Sequence, residues 1–272
     1  MRRGSDTVYH KALESWNALL REKGEGELEL AEELFSLVDT LDNAPALLAA
    51  LEDASRESDA RAQLANDVLK GKASGEVLDL VTGLARESWS ESGDLLKVME
   101  LLGVQTILAG GEREGLLSRM EDELYGTRSI FSKQRDFRHA LRDAFYPLEA
   151  REQLLATVLT DETVYTKALL KRGLSKVPEM SLPQVNTEYL EAVAERQNHM
   201  VASVTTALPL TREEEERLEA VLSKKFNSPV QIHTTIDTSV VGGARVHIGD
   251  YVIDGTISSR LATVKEVFNN GR

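Results

Sequence analysis

The chain has 272 residues with 45 acidic and 32 basic side chains, a net charge of −13, five histidines and no cysteine. That length suits one to three domains with ample core, and the missing cysteine excludes disulfides, thiol catalysis and thiolate metal sites. So acidic a surface repels phosphate backbones and anionic leaflets, which excludes nucleic acid as a natural partner and direct docking on a membrane. In chain order the first half reads as helix after helix. Asp6 or Thr7 caps a first helix, in which Tyr9, Ala12, Leu13, Trp16, Leu19 and Leu20 recur at helical spacing. Gly24 and Gly26 punctuate before a second helix, with Leu30, Leu34, Phe35, Leu37, Val38 and Leu41 facing inward. Pro45 stands at a first helical position and opens a short helix to Leu51. A fourth covers 59–70 with Leu64, Val68 and Leu69, and Gly71 lies just past its end. Val77, Leu78, Val81 and Leu84 mark a fifth, and Ser92 caps a sixth that carries Leu95, Leu96, Met99 and Leu102.

The chain then repeats itself. Shifted by 90 residues without a gap, Glu33 falls on Glu123, Leu34 on Leu124, Leu51 on Leu141, and Asp53-Ala54 on Asp143-Ala144. The agreement continues through Arg61 and Arg151, Gln63-Leu64 and Gln153-Leu154, Val68-Leu69 and Val158-Leu159, and Leu80 and Leu170. A constant offset over so long a stretch predicts a copied helical unit rather than chance agreement between leucine-rich helices. The region 92–110 then ends one bundle and enters the next. Pro147 opens the helix that corresponds to 59–70, and Pro183 starts a long helix through His199.

The pattern changes near Met200. Residues 200–206 suit an extended segment. Thr211 stands before four consecutive glutamates, a capping-box spacing with acid at the positive end of the helix dipole, and Leu218, Val221, Leu222 and Phe226 give that helix its buried stripe. From Val230 to Ile236 apolar and polar residues alternate, as in a half-buried strand. Gly242-Gly243 supplies backbone freedom, Ala244, Val246 and Ile248 alternate again, and Gly249-Asp250 makes a tight turn into Tyr251-Val252-Ile253. Ser258 or Ser259 caps a final helix with Leu261, Val264, Val267 and Phe268.

These residues carry a resemblance. The run Val204-Thr205-Thr206-Ala207-Leu208-Pro209-Leu210-Thr211, then Ile236-Asp237, the segment 240–248, Gly249-Asp250-Tyr251-Val252-Ile253-Asp254-Gly255-Thr256 and Arg260-Leu261 resembles the C-terminal signature of the delta subunit of F-type ATP synthases, whose mitochondrial relative is the oligomycin sensitivity-conferring protein. The opening Val8-Tyr9-His10-Lys11-Ala12-Leu13 resembles that family's first helix more weakly. The resemblance implies a stator component of the peripheral stalk, without catalysis or cofactor. It would link the alpha and beta subunits of the catalytic head to subunit b, so that rotation is coupled to ATP synthesis and hydrogen ion transport. It further implies a peripheral protein at the cytoplasmic face of the cell membrane, held there only through partners. A usual delta subunit carries one helical bundle where this chain shows two. In that family the first and fifth helices receive the amphipathic N-terminal helix of an alpha subunit. Here that groove would be lined by Tyr9, Ala12, Leu13 and Trp16 on one side and Val77, Leu78, Val81 and Leu84 on the other. The same eight residues also read as ordinary core.

No other constellation points to chemistry. Gly242-Gly243 leads into a strand and lacks the lysine of a phosphate loop. The acidic run 213–216 spreads around a helix axis and does not converge on one ion. His10, His139, His199, His233 and His247 are scattered, with His233 and His247 expected on neighbouring strands. The expected fold is mainly α: two tandem helical bundles, 1–92 and 93–199, then a small α+β domain with a β-hairpin, 200–272. A helical adaptor unrelated to ATP synthase, and an enzyme using Gly242-Gly243 and nearby histidines, are the two competing readings.

Overall fold

A computed structural model describes residues 1–143, 145–176, 180–240, 242–249 and 251–256. The order is α1 (Arg3–Lys23), α2 (Glu27–Asp42), α3 (Pro45–Glu52), α4 (Ser58–Leu69), α5 (Gly75–Arg86), α6 (Asp94–Arg113), α7 (Leu117–Lys133), α8 (Arg135–Arg142), α9 (Leu148–Ala156), α10 (Val164–Ser175) and α11 (Leu182–Arg196). Then follow β1 (Met200–Thr206), α12 (Arg212–Phe226), β2 (Val230–Ile236), β3 (Ala244–Ile248) and β4 (Tyr251–Asp254). The fold is mainly α with a small α+β tail, as the periodicities predict. Two compact units form: residues 1–123 with 134–182, and residues 124–133 with the chain from Pro183 onward. No single helix among the described residues is long and apolar enough to cross a membrane.

In the first unit Trp16, Leu34, Leu41, Val77, Val81, Leu95, Met99 and Leu102 belong to one buried cluster, to which α1, α2, α5 and α6 all contribute. The copied helices keep their spacing: α2 and α7, α3 and α8, and α4 and α9 start 90 residues apart, α5 and α10 start 89 apart, and α1 and α6 start 91 apart. The copy extends to single hydrogen bonds. Ser74 caps α5, and its backbone N–H donates to the Glu33 carboxylate at 2.8 Å. Thr163 caps α10, and its N–H donates to the Glu123 carboxylate at 3.0 Å. Helix α6 packs on α1, α2, α5 and α10, so it closes the first copy and opens the second.

Two caps differ from expectation. Helix α1 begins at Arg3 without a side-chain cap, and the Thr7 hydroxyl donates back to the Arg3 carbonyl instead. Helix α6 starts after Gly93, whose φ of 85° suits glycine, and not after Ser92. Its first N–H groups are received by the Glu52 carboxylate of α3, at 2.8 Å from Gly93 and 2.9 Å from Leu95. A distant carboxylate here does the work of a local cap, and one-dimensional capping rules do not see it.

The second unit holds a four-stranded sheet in the order β2-β1-β3-β4. Helix α12 joins the parallel pair β1 and β2, while β3 pairs antiparallel with β1 and β4. Ala202, Val204, Leu222, Val230, Val246 and Ile248 form its core. Thr211 and Glu214 close the expected capping box. On α12 the buried stripe runs through Leu218, Leu222 and Phe226 at spacing four, and Val221 falls off it into solvent. Ile236 is also exposed, at the end of edge strand β2. Ile248 pairs with Tyr251 across the tight turn, although Asp250 lies outside the described residues. The final helix expected over Leu261–Phe268 also lies outside them. Gly243, at φ 78°, sits against the Gly255 carbonyl, which makes it a packed turn and not a phosphate cradle.

Candidate functional site

Four of the eight groove residues are core: Trp16, Val77, Val81 and Leu84 are buried in the first-copy cluster. The Trp16 indole donates to the Thr106 hydroxyl at 2.7 Å, so its polar end is satisfied inside the unit. The other four, Tyr9, Ala12, Leu13 and Leu78, are half-buried against that cluster. Val8, Leu19 and Leu80 share that half-buried state. The helices bearing this strip are tied by Lys11 on Glu87 at 3.2 Å and by the Lys23–Glu76 ion pair. The Glu76 carboxyl is held below its ordinary range, chiefly by the Lys23 hydrogen bond. The structure thus brings the two sides of the predicted groove together as adjacent, tethered helices with a partly uncovered apolar strip.

The matching face of the second copy, on α6 and α10, is covered. Helix α2 lies over it. A Cβ at Gly103 would collide with the edge of the Phe35 ring, and one at Gly110 would collide with the Tyr165 ring and come within 3.2 Å of the Glu27 Cβ. The two glycines therefore permit a close helix approach. Charge pairs fix its edges. Arg113 grips Glu27 through Nε at 2.7 Å and Nη2 at 3.1 Å. Arg172 bonds Asp39 at 2.8 Å and Glu100 at 2.6 Å, and its guanidinium lies 4.6 Å from the Phe35 ring centre. Burial pushes the Glu27 carboxyl up, but Arg113 outweighs it and the group ionises below the carboxylate range. Burial likewise works against the Arg172 charge, and Glu100 and Asp39 reverse the sign. The Tyr165 hydroxyl, bonded to Glu114 at 2.7 Å, is pushed up to about 12, by burial first and Glu114 second. Beside this junction a groove of about 730 Å³ runs between α2, α9 and α10, with Leu148 and Val164 at its rim. Sequence reading placed Phe35 on the inward face of α2 with the first-copy core, and it did not single out Arg172 or these glycines. Three glycines inside one helix, Gly103, Gly110 and Gly111, were the available signal.

In the second unit His233 and His247 are not on neighbouring strands. Strand β1 runs between theirs, with Ser203 opposite both. Tyr125 of α7 stacks on His233 at 4.1 Å, and its hydroxyl donates to the His233 carbonyl at 3.1 Å. Arg128 donates to the Ser203 hydroxyl at 2.9 Å. The glutamates of α12 point in separate directions: Glu214 closes the cap, Glu216 pairs with Arg212, and Glu219 accepts from the Ile232 N–H. Hairpin strand β4 leaves Tyr251 and Val252 exposed at the sheet edge.

The family model described as ATP synthase delta (OSCP) subunit matches residues 105–268, which begin inside α6 and take in the second copy and the tail. "ATP synthase subunit delta" of Beutenbergia cavernae is 37% identical over 96% of this chain and 97% of its own length. Proteins of the same name from Streptomyces griseus and Salinispora arenicola are 34% and 36% identical, over 92% and 85% of this chain. These alignments run through the first copy as well. A chain of the Toxoplasma gondii mitochondrial ATP synthase hexamer aligns with 61% of this chain and 94% of its own, at 13% identity and a TM-score of 0.38, too low to bear on the fold.

Proposed function

The chain belongs to the ATP synthase delta (OSCP) subunit family, and from that membership we propose that it is a stator component, tying the alpha and beta subunits of the catalytic head to subunit b of the peripheral stalk. The observation that carries this is the near full-length match to ATP synthase delta subunits. That match also removes the reading as an adaptor unrelated to ATP synthase. The role is mechanical. Rotation loads the head with torque, and tightly packed helical bundles deform little under load. The chain catalyses nothing, takes no cofactor, and stays at the cytoplasmic face of the cell membrane through its partners. Its parts divide at 92 and 199, with the helical copies toward the head and the tail toward the stalk.

The half-buried strip of Tyr9, Ala12, Leu13 and Leu78, above Trp16, Val77, Val81 and Leu84, receives an amphipathic alpha-subunit helix. Partial exposure of an apolar strip along two tethered helices supports that assignment. The stalk meets the hairpin, where Tyr251 and Val252 stand exposed on an edge strand. Co-sedimentation with the purified catalytic head tests the first contact: Tyr9→Glu with Ala12→Glu should lose the head and keep subunit b. Val252→Glu should do the opposite. Full head binding by the double variant, with circular dichroism unchanged, would refute the groove.

A further inference from the structure

The two copies allow one face to be read through the other. With α1 laid on α6 at its 91-residue spacing, Ala12 falls on Gly103, Leu19 on Gly110, Glu22 on Arg113 and Lys23 on Glu114. With α5 laid on α10 at 89, Val77, Val81, Leu84 and Ala85 fall on Thr166, Leu170, Gly173 and Leu174, and all eight are buried. The same alignment puts Glu76 on Tyr165 and Gly83 on Arg172. The tie between the two helices survives with its chemistry changed: Lys23 on Glu76 in the first copy, Glu114 on Tyr165 in the second. The α1–α5 face and the α6–α10 face are therefore one surface in two copies. On the second copy a helix already sits there, α2, with Phe35 in the Gly103 notch and Glu27 on Arg113. That helix is fixed in place, because Leu30, Leu34, Leu37, Val38 and Leu41 on its other side are core of the first copy.

We infer that α2 permanently fills the helix-docking face of the second copy, that the open counterpart is the α1–α5 face, and that its occupant is an amphipathic helix shaped like α2 with basic residues at its start. This rests on the stator reading above and deepens it, since it assigns head binding to the copy that lies ahead of the family-model match. The shape follows from what α2 presents to α6 and α10: an aromatic at Phe35 against Gly103 and Arg172, and a carboxylate toward each end, Glu27 on Arg113 and Asp39 on Arg172. The charge follows from the exchange of Arg113 for Glu22. Where α2 offers Glu27 to an arginine, the partner meets Glu22, with exposed Asp79 on α5, while Glu76 is already paired with Lys23.

The chain lacks cysteine, so single cysteines carry a photoreactive maleimide without background. Asp79→Cys puts the probe at the α1–α5 face, and Lys171→Cys puts it beside the α2–α10 groove. Each labelled full-length chain is mixed with the cognate alpha/beta head and irradiated. The expected result is an alpha-subunit adduct from Asp79→Cys and none from Lys171→Cys. An adduct from Lys171→Cys, alone or beside the first, overturns the inference while leaving the stator reading intact. Absence of any binding to the head in co-sedimentation overturns both. Glu22→Arg should weaken head binding several-fold at low salt, and unchanged affinity would overturn the charge assignment.

Discussion

The two helical copies are alike inside and unlike outside. Inside, Glu33 supports the Ser74 cap as Glu123 supports the Thr163 cap, and the buried arginines Arg61 and Arg151 both donate to main-chain carbonyls, of Arg86 and Leu141. Outside, Ala12 has become Gly103 and Gly83 has become Arg172. The difference shows what duplication can change cheaply. A buried carboxylate that satisfies backbone N–H groups cannot be lost alone, since stranding a buried donor costs about 1–3 kcal/mol. A surface position carries no such penalty until another element settles on it. With α2 packed on α6 and α10, glycine and arginine are structural there, while the matching α1–α5 strip of Tyr9, Ala12, Leu13 and Leu78 is only half-buried.

The largest expected break in this comparison is at Arg172. It is buried between Glu100 and Asp39 and lies against Phe35. Arg172→Ala leaves Glu100 buried with Lys176 as its ion-pair partner among the described residues. Losing one partner of a buried ion pair costs about 3–5 kcal/mol, and the remaining lysine puts this variant at about 3 kcal/mol, read from the urea midpoint of the purified chain. Thr82→Ala, on the open copy, should shift that midpoint little, and Gly83→Ala should raise stability by about 0.5–1 kcal/mol, since a methyl group in that helix meets open space. If Arg172→Ala proves equally mild, α2 is not clamped on the second copy in solution.

The next effect sharpens the comparison at a single matched pair. Gly103→Ala drives a methyl group into the Phe35 ring, and overpacking of this kind costs about 1–3 kcal/mol. Phe35→Leu in the same chain should recover part of the loss, because the two changes share one contact. At the matched position Ala12→Val should move stability by about 0.5 kcal/mol or less, as for other partly exposed sites. It should instead weaken head binding. Equal stability losses at 12 and 103 would mean that the two faces are covered alike.

Most of the architecture was legible in the sequence, and the reasons are specific. Strict alternation over Val230–Ile236 and the Thr211–Glu214 spacing are local signals, and both elements form where those signals lie. The 90-residue offset worked because buried positions such as Leu51 and Leu141 keep residue type under packing. What stayed hidden was set by contacts across long sequence gaps. Glu52 capping α6 spans 41 residues to Gly93, and Arg172 reaching Asp39 spans 133. The candidate strip was half legible: periodicity on α1 and α5 found the right helices, but it does not separate Trp16, which is buried, from Tyr9, which is half-exposed, since both satisfy the same spacing. By propensity alone the glycines of α6 only weaken the helix, and it is the Phe35 and Tyr165 rings lying on Gly103 and Gly110 that give them a role.

The two supporting carboxylates give the next test. Glu33→Ala and Glu123→Ala each strip a backbone N–H of its acceptor at a helix start, and each should cost about 1–2 kcal/mol in chemical unfolding. Glu123→Ala should cost the more of the two, because Glu123 also accepts from the Thr163 hydroxyl and pairs with Arg119, whereas Glu33 serves the Ser74 N–H. A loss at only one would show that the copies share a pattern but not its function.

The smallest effect is a pH dependence concentrated where the copies meet. Burial raises the Asp94 carboxyl, but the Ser5 hydroxyl at 2.7 Å, Lys97 and the Glu91 N–H together hold it below the ordinary range. Burial also raises Glu123, and hydrogen bonds from Thr166, Thr163 and Arg119 outweigh it. Glu27 follows the same sign through Arg113. Each folded-state value lies below its unfolded value of about 4. The stability these groups contribute is therefore fully present above that unfolded value and is lost as pH falls through the lower, folded one. Stability should be flat in these groups between pH 5 and 7 and should drop steeply below about pH 4. Asp94→Asn and Glu27→Gln each remove one titrating group, so each variant should lose stability at neutral pH and show a shallower acid limb. The distinguishing arm is Glu76, whose depressed value depends on an exposed pair with Lys23. Solvent and salt screen that pair, so Glu76→Gln should leave the acid limb almost unchanged. An acid limb flattened as much by Glu76→Gln as by Glu27→Gln would place equal electrostatic weight on the open and the filled face, and the contrast between the copies would then rest on packing alone.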